Sequence, residues 1–212
     1  KTAKLLRLPG GTMNLLPKWL HGDKPWETVL WSVLASPKPR LLSAGKVGNK
    51  LFFCALLTGV PARLAEARED VRRGDLGRAL ADAGLALDGV RKIHLAASFG
   101  DDRGHVDHTL PSGNMVRALV GPLAGNGRME VVRTSVTADF SGLDTLWASL
   151  SGNWRQRRNV TVESADVLIV NDMDGVDIPA IIDGERISAG RSLEVTFHEN
   201  AATCLVADSP AL

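Results

Sequence analysis

Val176-Asp177-Ile178-Pro179-Ala180-Ile181-Ile182-Asp183-Gly184-Glu185-Arg186-Ile187 reads as an apolar run, a two-residue turn and a second run. Asp-Gly between apolar runs is a strong hairpin signal, because both residues tolerate the positive φ of a type I′ turn. The hairpin accounts for the glycine but not for the second acid. Asp183 and Glu185 flank Gly184, a placement from which two carboxylates either influence each other's protonation or hold a divalent cation together.

Similar short apolar runs recur on either side. Strands are expected over Lys92–Phe99, Met115–Val120, Met129–Val136, Val160–Glu163, Val167–Val170, Ile178–Ile182, Glu185–Ile187, Leu193–His198 and Thr203–Val206. Many short strands with turn signals between them predict antiparallel sheets packed face to face. Gly48-Asn49 joins two further β-leaning runs, Arg40–Val47 and Lys50–Leu57, as a second hairpin. Gly100–Asn114, rich in Asp, Gly, His and Ser, reads as an exposed loop.

Helices are expected where the apolar spacing changes to three and four. Lys24–Leu34 has apolar residues at 26, 29, 30, 33 and 34, and a shorter helix precedes it near Leu15–Leu20. Pro37-Lys38-Pro39 stops the longer helix and marks the best boundary in the chain. Further helices are expected over Pro61–Leu87, broken near Gly74, and over Leu143–Leu150. The fold class is therefore α+β, predominantly antiparallel β, with a sandwich-like C-terminal domain carrying helices.

Composition narrows the function classes. The 212 residues carry 25 Lys and Arg against 24 Asp and Glu, for a net charge of +1, which offers no overall attraction to nucleic acid. No run of about 18 apolar residues would span a bilayer, and no signal peptide is recognisable, so the default compartment is the cytoplasm. Cys54 and Cys204 lie inside apolar runs, where they are expected as buried small hydrophobes rather than as a disulfide or metal ligands. His105 and His108 share the Gly100–Asn114 stretch without a third ligand, so no metal is expected there. Nothing resembles the elbow of a serine hydrolase.

Two other segments could carry chemistry. Leu8-Pro9-Gly10-Gly11-Thr12-Met13-Asn14 leads from an apolar strand through two glycines into a short helix, and reads either as a capped glycine turn or as a phosphate cradle. Asn153-Trp154-Arg155-Gln156-Arg157-Arg158-Asn159 is the densest basic cluster, either a solvated turn or a contact for phosphate or an anionic membrane. The chain opens with Lys4–Leu8, a lone apolar strand without an initiator Met. Because a strand needs neighbours for its backbone, the sheet it belongs to is expected outside this sequence.

In order and spacing, Leu-Pro-Gly-Gly-Thr-Met-Asn at 8–14, the hairpin at 45–59 and Ile-Pro-Ala-Ile-Ile-Asp-Gly-Glu at 178–185 resemble the later two thirds of the bacterial diacylglycerol kinase and sphingosine kinase-like lipid kinases. The resemblance implies a remnant of an α/β nucleotide-binding domain over residues 1–36 and a β-rich lipid-kinase domain over 37–212. It further implies ATP and Mg²⁺ as cofactors and the hydroxyl of diacylglycerol or a related lipid, or of a long-chain base, as acceptor. Gly10, Gly11, Thr12 and Asn14 would bind nucleotide. Asp183 would be the general base on the lipid hydroxyl, and Glu185 would place metal or phosphate. The Gly-Gly-Asp-Gly-Thr phosphate motif of that family does not occur here, so the chain alone is expected to be inactive and to need a missing N-terminal nucleotide-binding domain. Asn126 stands where relatives often place an acid for a structural metal, and no such metal is expected. The implied partner is a lipid at a membrane surface, reached peripherally, with no nucleic acid; a homodimer is compatible with the reading. The alternative is a catalytically silent lipid- or partner-binding domain.

Overall fold

The computed structural model describes residues 4–11, 14–59, 62, 94–101, 106–111, 115–134, 155 and 160–207. The helices expected over Pro61–Leu87 and Leu143–Leu150 lie outside these residues, except for Ala62, which is helical and buried.

Helices α1 (Leu15–His21) and α2 (Trp26–Ala35) precede almost all of the β-structure. In α1, Leu16 and Leu20 are buried four residues apart, and in α2 the same spacing buries Val29 and Val33, as one apolar face of a helix requires. Chain direction then changes at the prolines. Strand β2 (Pro37–Val47) begins at Pro37, and Pro37 and Pro39 lie opposite Ala207 and Leu205 on a stretch whose other edge is unpaired, the position in a sheet that tolerates a missing N–H.

The first sheet runs β3 (Lys50–Phe52), β2, β13 (Ser192–Ala207), β10 (Val167–Asp172), β5 (Leu95–Gly100), β6 (Val106–Pro111). The second runs β12 (Glu185–Ser188), β11 (Pro179–Ile182), β4 (Ala55–Gly59), β7 (Met115–Leu119), β8 (Met129–Thr134), β9 (Val160–Ala165). All of these neighbours are antiparallel. Among the described residues the fold is thus predominantly antiparallel β with helices α1 and α2, built on two open sheets. Alternate residues of each sheet meet between them: Leu95, Ala97, Phe99, Leu168, Val170, Leu193 and Val195 from the first pack with Leu56, Val116, Ala118, Val131, Ala180 and Ile182 from the second. A second cluster on the other side of the first sheet joins Leu16 and Leu20 of α1 to Leu42, Ala44, Phe53, Cys54 and Cys204.

Four sequence expectations are corrected. Lys50–Leu57 is not one strand, because it stops at Phe53-Cys54 and changes sheet, with β3 in the first and β4 in the second. Gly100–Asn114 is not all loop: β6 pairs with β5, its polar composition suiting the edge of the sheet. Leu193–His198 and Thr203–Val206 are a single strand, β13, whose pairing with β2 shifts between His198 and Ala202 around Asn200 at φ 55°. Finally, β1 (Lys4–Leu5) finds its neighbour within the chain: it pairs parallel with Thr203 and Cys204 of β13, beside the half of β13 that β10 leaves uncovered.

Candidate active site

Asp183 closes the β11–β12 hairpin. Ile182 and Glu185 pair across the turn, and Asp183 and Gly184 take φ values of 45° and 92°, the left-handed pair of a type I′ turn. The turn lies against the point where the chain passes from β3 to β4. There the Asp183 carboxylate accepts three main-chain hydrogen bonds, from Phe53 N to Oδ2 at 2.7 Å and from Cys54 N and Ala55 N to Oδ1 at 2.9 Å each.

The carbonyls of the same crossover are also engaged. Asp183 N donates to Ala55 O at 2.9 Å and Val120 N to Cys54 O at 2.9 Å. Gly121, at φ 56°, lies so close to Phe53 O that a Cβ would come within 2.6 Å of it. A passage between sheets would otherwise leave main-chain groups without ladder partners, and Asp183 supplies acceptors for three of them. Its carboxylate is therefore fixed in position while the residue remains exposed to solvent.

The glycine turn precedes the helix that packs on the same crossover. Gly10 N and Gly11 N donate to Asn14 Oδ1 at 3.0 and 2.7 Å, and Asn14 itself is left-handed at φ 48° before α1 begins. The amide oxygen thus occupies the two N–H groups that the cradle reading offers to a phosphate. Thr12 lies outside the described residues. Leu16, one turn further on, packs with Phe53 and Cys54.

Burial and the neighbouring Asp183 carboxylate push the Cys54 thiol up to about 12, against the weaker opposing pull of Arg7. Burial also raises Cys204. Both cysteines are free and buried, as their apolar surroundings in the sequence predict. Arg7 is the residue of this region that sequence reading missed. Its guanidinium stands 5.4 Å from the centre of the Phe53 ring. Burial disfavours protonation of His21, against the smaller opposing influence of the Arg7 main chain.

Other candidates stand apart or serve other purposes. Glu185 is exposed at the start of β12. Asn126 bonds Ser164 through Nδ2 and accepts from Arg128 N at 3.1 Å. Arg155 is not a free lipid contact: it pairs with the buried Glu130 at 2.8 Å and donates to Leu123 O at 2.5 Å. Glu130 in turn accepts from Gly125 N at 2.7 Å, so this part of the basic cluster fastens the loop before β8. Arg157, Arg158 and His105 lie outside the described residues. Among the described residues no group of three or more His, Cys, Asp or Glu stands together as a metal cage, and no helix is long and apolar enough to cross a membrane.

Neither a protein-family model nor a curated protein sequence matches the chain. Solved structures do. A diacylglycerol kinase of Bacillus anthracis str. Sterne superposes with a TM-score of 0.59 at 8% identity, over 97% of this chain and 67% of its own. Two further structures from the same organism, provisionally named diacylglycerol kinases, give TM-scores of 0.63 and 0.62 at 11% and 13% identity. They cover 97% and 98% of this chain and 70% and 69% of their own. At such identities the likeness establishes a shared fold.

Proposed function

We propose that this chain is the C-terminal part of an ATP-dependent lipid kinase that phosphorylates the hydroxyl of diacylglycerol or a related lipid. One observation carries the reading. Asp183 and the helix that follows the Gly10–Asn14 turn, distant in sequence, meet at a single crossover: the carboxylate holds Phe53, Cys54 and Ala55, while the helix packs on Phe53 and Cys54. Phosphoryl transfer asks a protein for positioning, for neutralised phosphate charge and for a group to take the proton of the attacking hydroxyl. A carboxylate that is both fixed and exposed suits the last of these tasks. Two carboxylate oxygens offer about four lone-pair directions, and the three amides leave one on Oδ2 to face an acceptor.

The donor set fits a Mg²⁺ that arrives with nucleotide phosphates, which needs only one or two protein carboxylates. Glu185, exposed two residues from Asp183, would hold it, and the ion would neutralise phosphate charge. Gly10, Gly11, Thr12 and Asn14 remain the proposed nucleotide side, with Asn14 keeping the turn in shape. Residues 1–36 would belong to the nucleotide-binding domain, and the chain alone, without the Gly-Gly-Asp-Gly-Thr element, would be inactive. A peripheral approach to the membrane would bring the lipid to Asp183.

The rival reading, a catalytically silent lipid- or partner-binding domain, is favoured by the same three hydrogen bonds if they are all that Asp183 does. The test is transfer of label from γ-labelled ATP to dioctanoylglycerol in mixed micelles with Mg²⁺, using the protein in its complete reading frame. Labelled lipid formed by the wild type and reduced about 10²-fold or more by Asp183→Asn supports the kinase. A wild type that labels no lipid, including long-chain bases, gives the binding domain first place.

A further inference from the structure

Asp183 and Arg7 flank the Phe53–Cys54 crossover, the carboxylate on its amides and the guanidinium on the Phe53 ring. Both charges act on the Cys54 thiol, in opposite directions, yet they form no ion pair with each other. Several other cations of the described residues are engaged. Lys18 pairs with Asp23 at 3.2 Å, Arg40 stacks on Trp19 at 4.0 Å, and Arg128 pairs with Asp166. The Arg7 guanidinium, with its five N–H donors, makes no hydrogen bond or ion pair to any described residue, while its main chain follows directly on the β1 ladder. An arginine whose backbone is fixed and whose face lies on an aromatic ring keeps its N–H rim free for a planar or tetrahedral anion. The surrounding charge points the same way. The first 50 residues hold nine Lys and Arg against two Asp and Glu, in a chain that is nearly neutral overall.

We propose that Arg7 is the cation that binds the phosphoryl group in transit, an assignment that rests on the kinase reading above. The acceptor hydroxyl oxygen forms a bond to the terminal phosphorus of ATP. The bond from that phosphorus to the bridging oxygen breaks, and ADP leaves with the electron pair. The hydroxyl proton passes to Asp183. Arg7 neither gains nor loses a proton; its N–H groups face the non-bridging oxygens, where negative charge gathers in the transition state. The crossover thereby sets the distance between the group that takes the proton and the group that holds the phosphate.

Two measurements separate this proposal from the reading it rests on. In the complete protein, Arg7→Gln should lower kcat for lipid phosphorylation by about 10²-fold or more. KM for the lipid should change little, and the melting temperature should fall only slightly, since the guanidinium touches the fold through its contact with the Phe53 ring and makes no hydrogen bond to the described residues. Added guanidinium ion should restore part of the rate of Arg7→Ala, a rescue that a merely structural role would not give. Unchanged kcat in Arg7→Gln with an active wild type overturns the Arg7 assignment and leaves the kinase standing. The second measurement is titration of wild type and Arg7→Gln with inorganic pyrophosphate. Binding weakened at least 10-fold by the substitution supports the anion site even if no lipid is labelled, in which case the kinase reading alone falls. Equal binding by both proteins, or none by the wild type, overturns the site.

Discussion

Asp183 and Ala55 are hydrogen bonded in both directions, Asp183 N to Ala55 O and Ala55 N to Asp183 Oδ1, each at 2.9 Å. The residue expected to act in catalysis is therefore also a fastening between two segments of the second sheet, β4 and the β11–β12 hairpin. Asp183→Asn keeps Oδ1 for Cys54 and Ala55 but turns an NH₂ group toward the Phe53 N–H. We expect a loss of about 1–3 kcal/mol in urea unfolding, the cost of an amide left without its partner. A variant as stable as the wild type would show that the Phe53 bond contributes nothing to the fold.

Gly45 faces Phe52 across the β2–β3 pair, and a Cβ on Gly45 would lie 2.1 Å from the ring's Cζ. Phe52 is fully buried between the sheets, so the ring has little room to retreat. Gly45→Ala should cost about 1–3 kcal/mol through overpacking, seen as a lower urea midpoint. In the double variant with Phe52→Leu, the glycine substitution should cost less.

The thiols of Cys54 and Cys204 are buried and raised by burial, Cys54 to about 12. Since the thiolate is the reactive form, both should resist iodoacetamide at pH 8 in the folded protein and react fully in urea. Mass spectrometry after a timed pulse reads the difference. Rapid native labelling of Cys54 would mean that the crossover opens readily.

Burial lowers the protonation of His21 below its ordinary value of 6.5, so the unfolded chain binds a proton that the folded chain refuses. Stability from this residue is complete above about pH 6.5 and is lost as pH falls below it toward the depressed folded value. Urea midpoints should fall between pH 7.5 and pH 5.5, and His21→Gln should flatten that slope. An equal slope in both proteins would assign the dependence to other groups.

Turn chemistry made much of this architecture readable from the sequence. Asp183-Gly184 and Gly48-Asn49 sit in the expected hairpins, and the short apolar runs of β5, β10 and β11 hold residues that do meet in the core. What the sequence hid depends on distant partners. Phe53-Cys54 carries no turn residue, and the break between β3 and β4 is stabilised by an acid 130 positions from Phe53. The sequence divided Leu193–His198 from Thr203–Val206, yet β2 pairs on both sides of Asn200, whose left-handed backbone marks the shift in register. In the candidate site, the motif residues were legible as residue types. The engagement of Gly10 and Gly11 by Asn14, and the position of Arg7 over Phe53, were not, since each depends on how separate segments fold against one another.

β13 lies in the middle of the first sheet, with β2 on one side and β10 and β1 on the other, and it is the last strand in sequence among the described residues. During synthesis, the β2–β3 pair and the β10–β5–β6 group would leave the ribosome with nothing to join them. Each would expose main-chain edges until residues 192–207 emerged. Long-range strand pairing of this kind is slow and leaves nascent chains open to aggregation. Loss of these final residues would therefore divide the first sheet rather than trim its border, and translation that stops short of them would yield a product unable to assemble it.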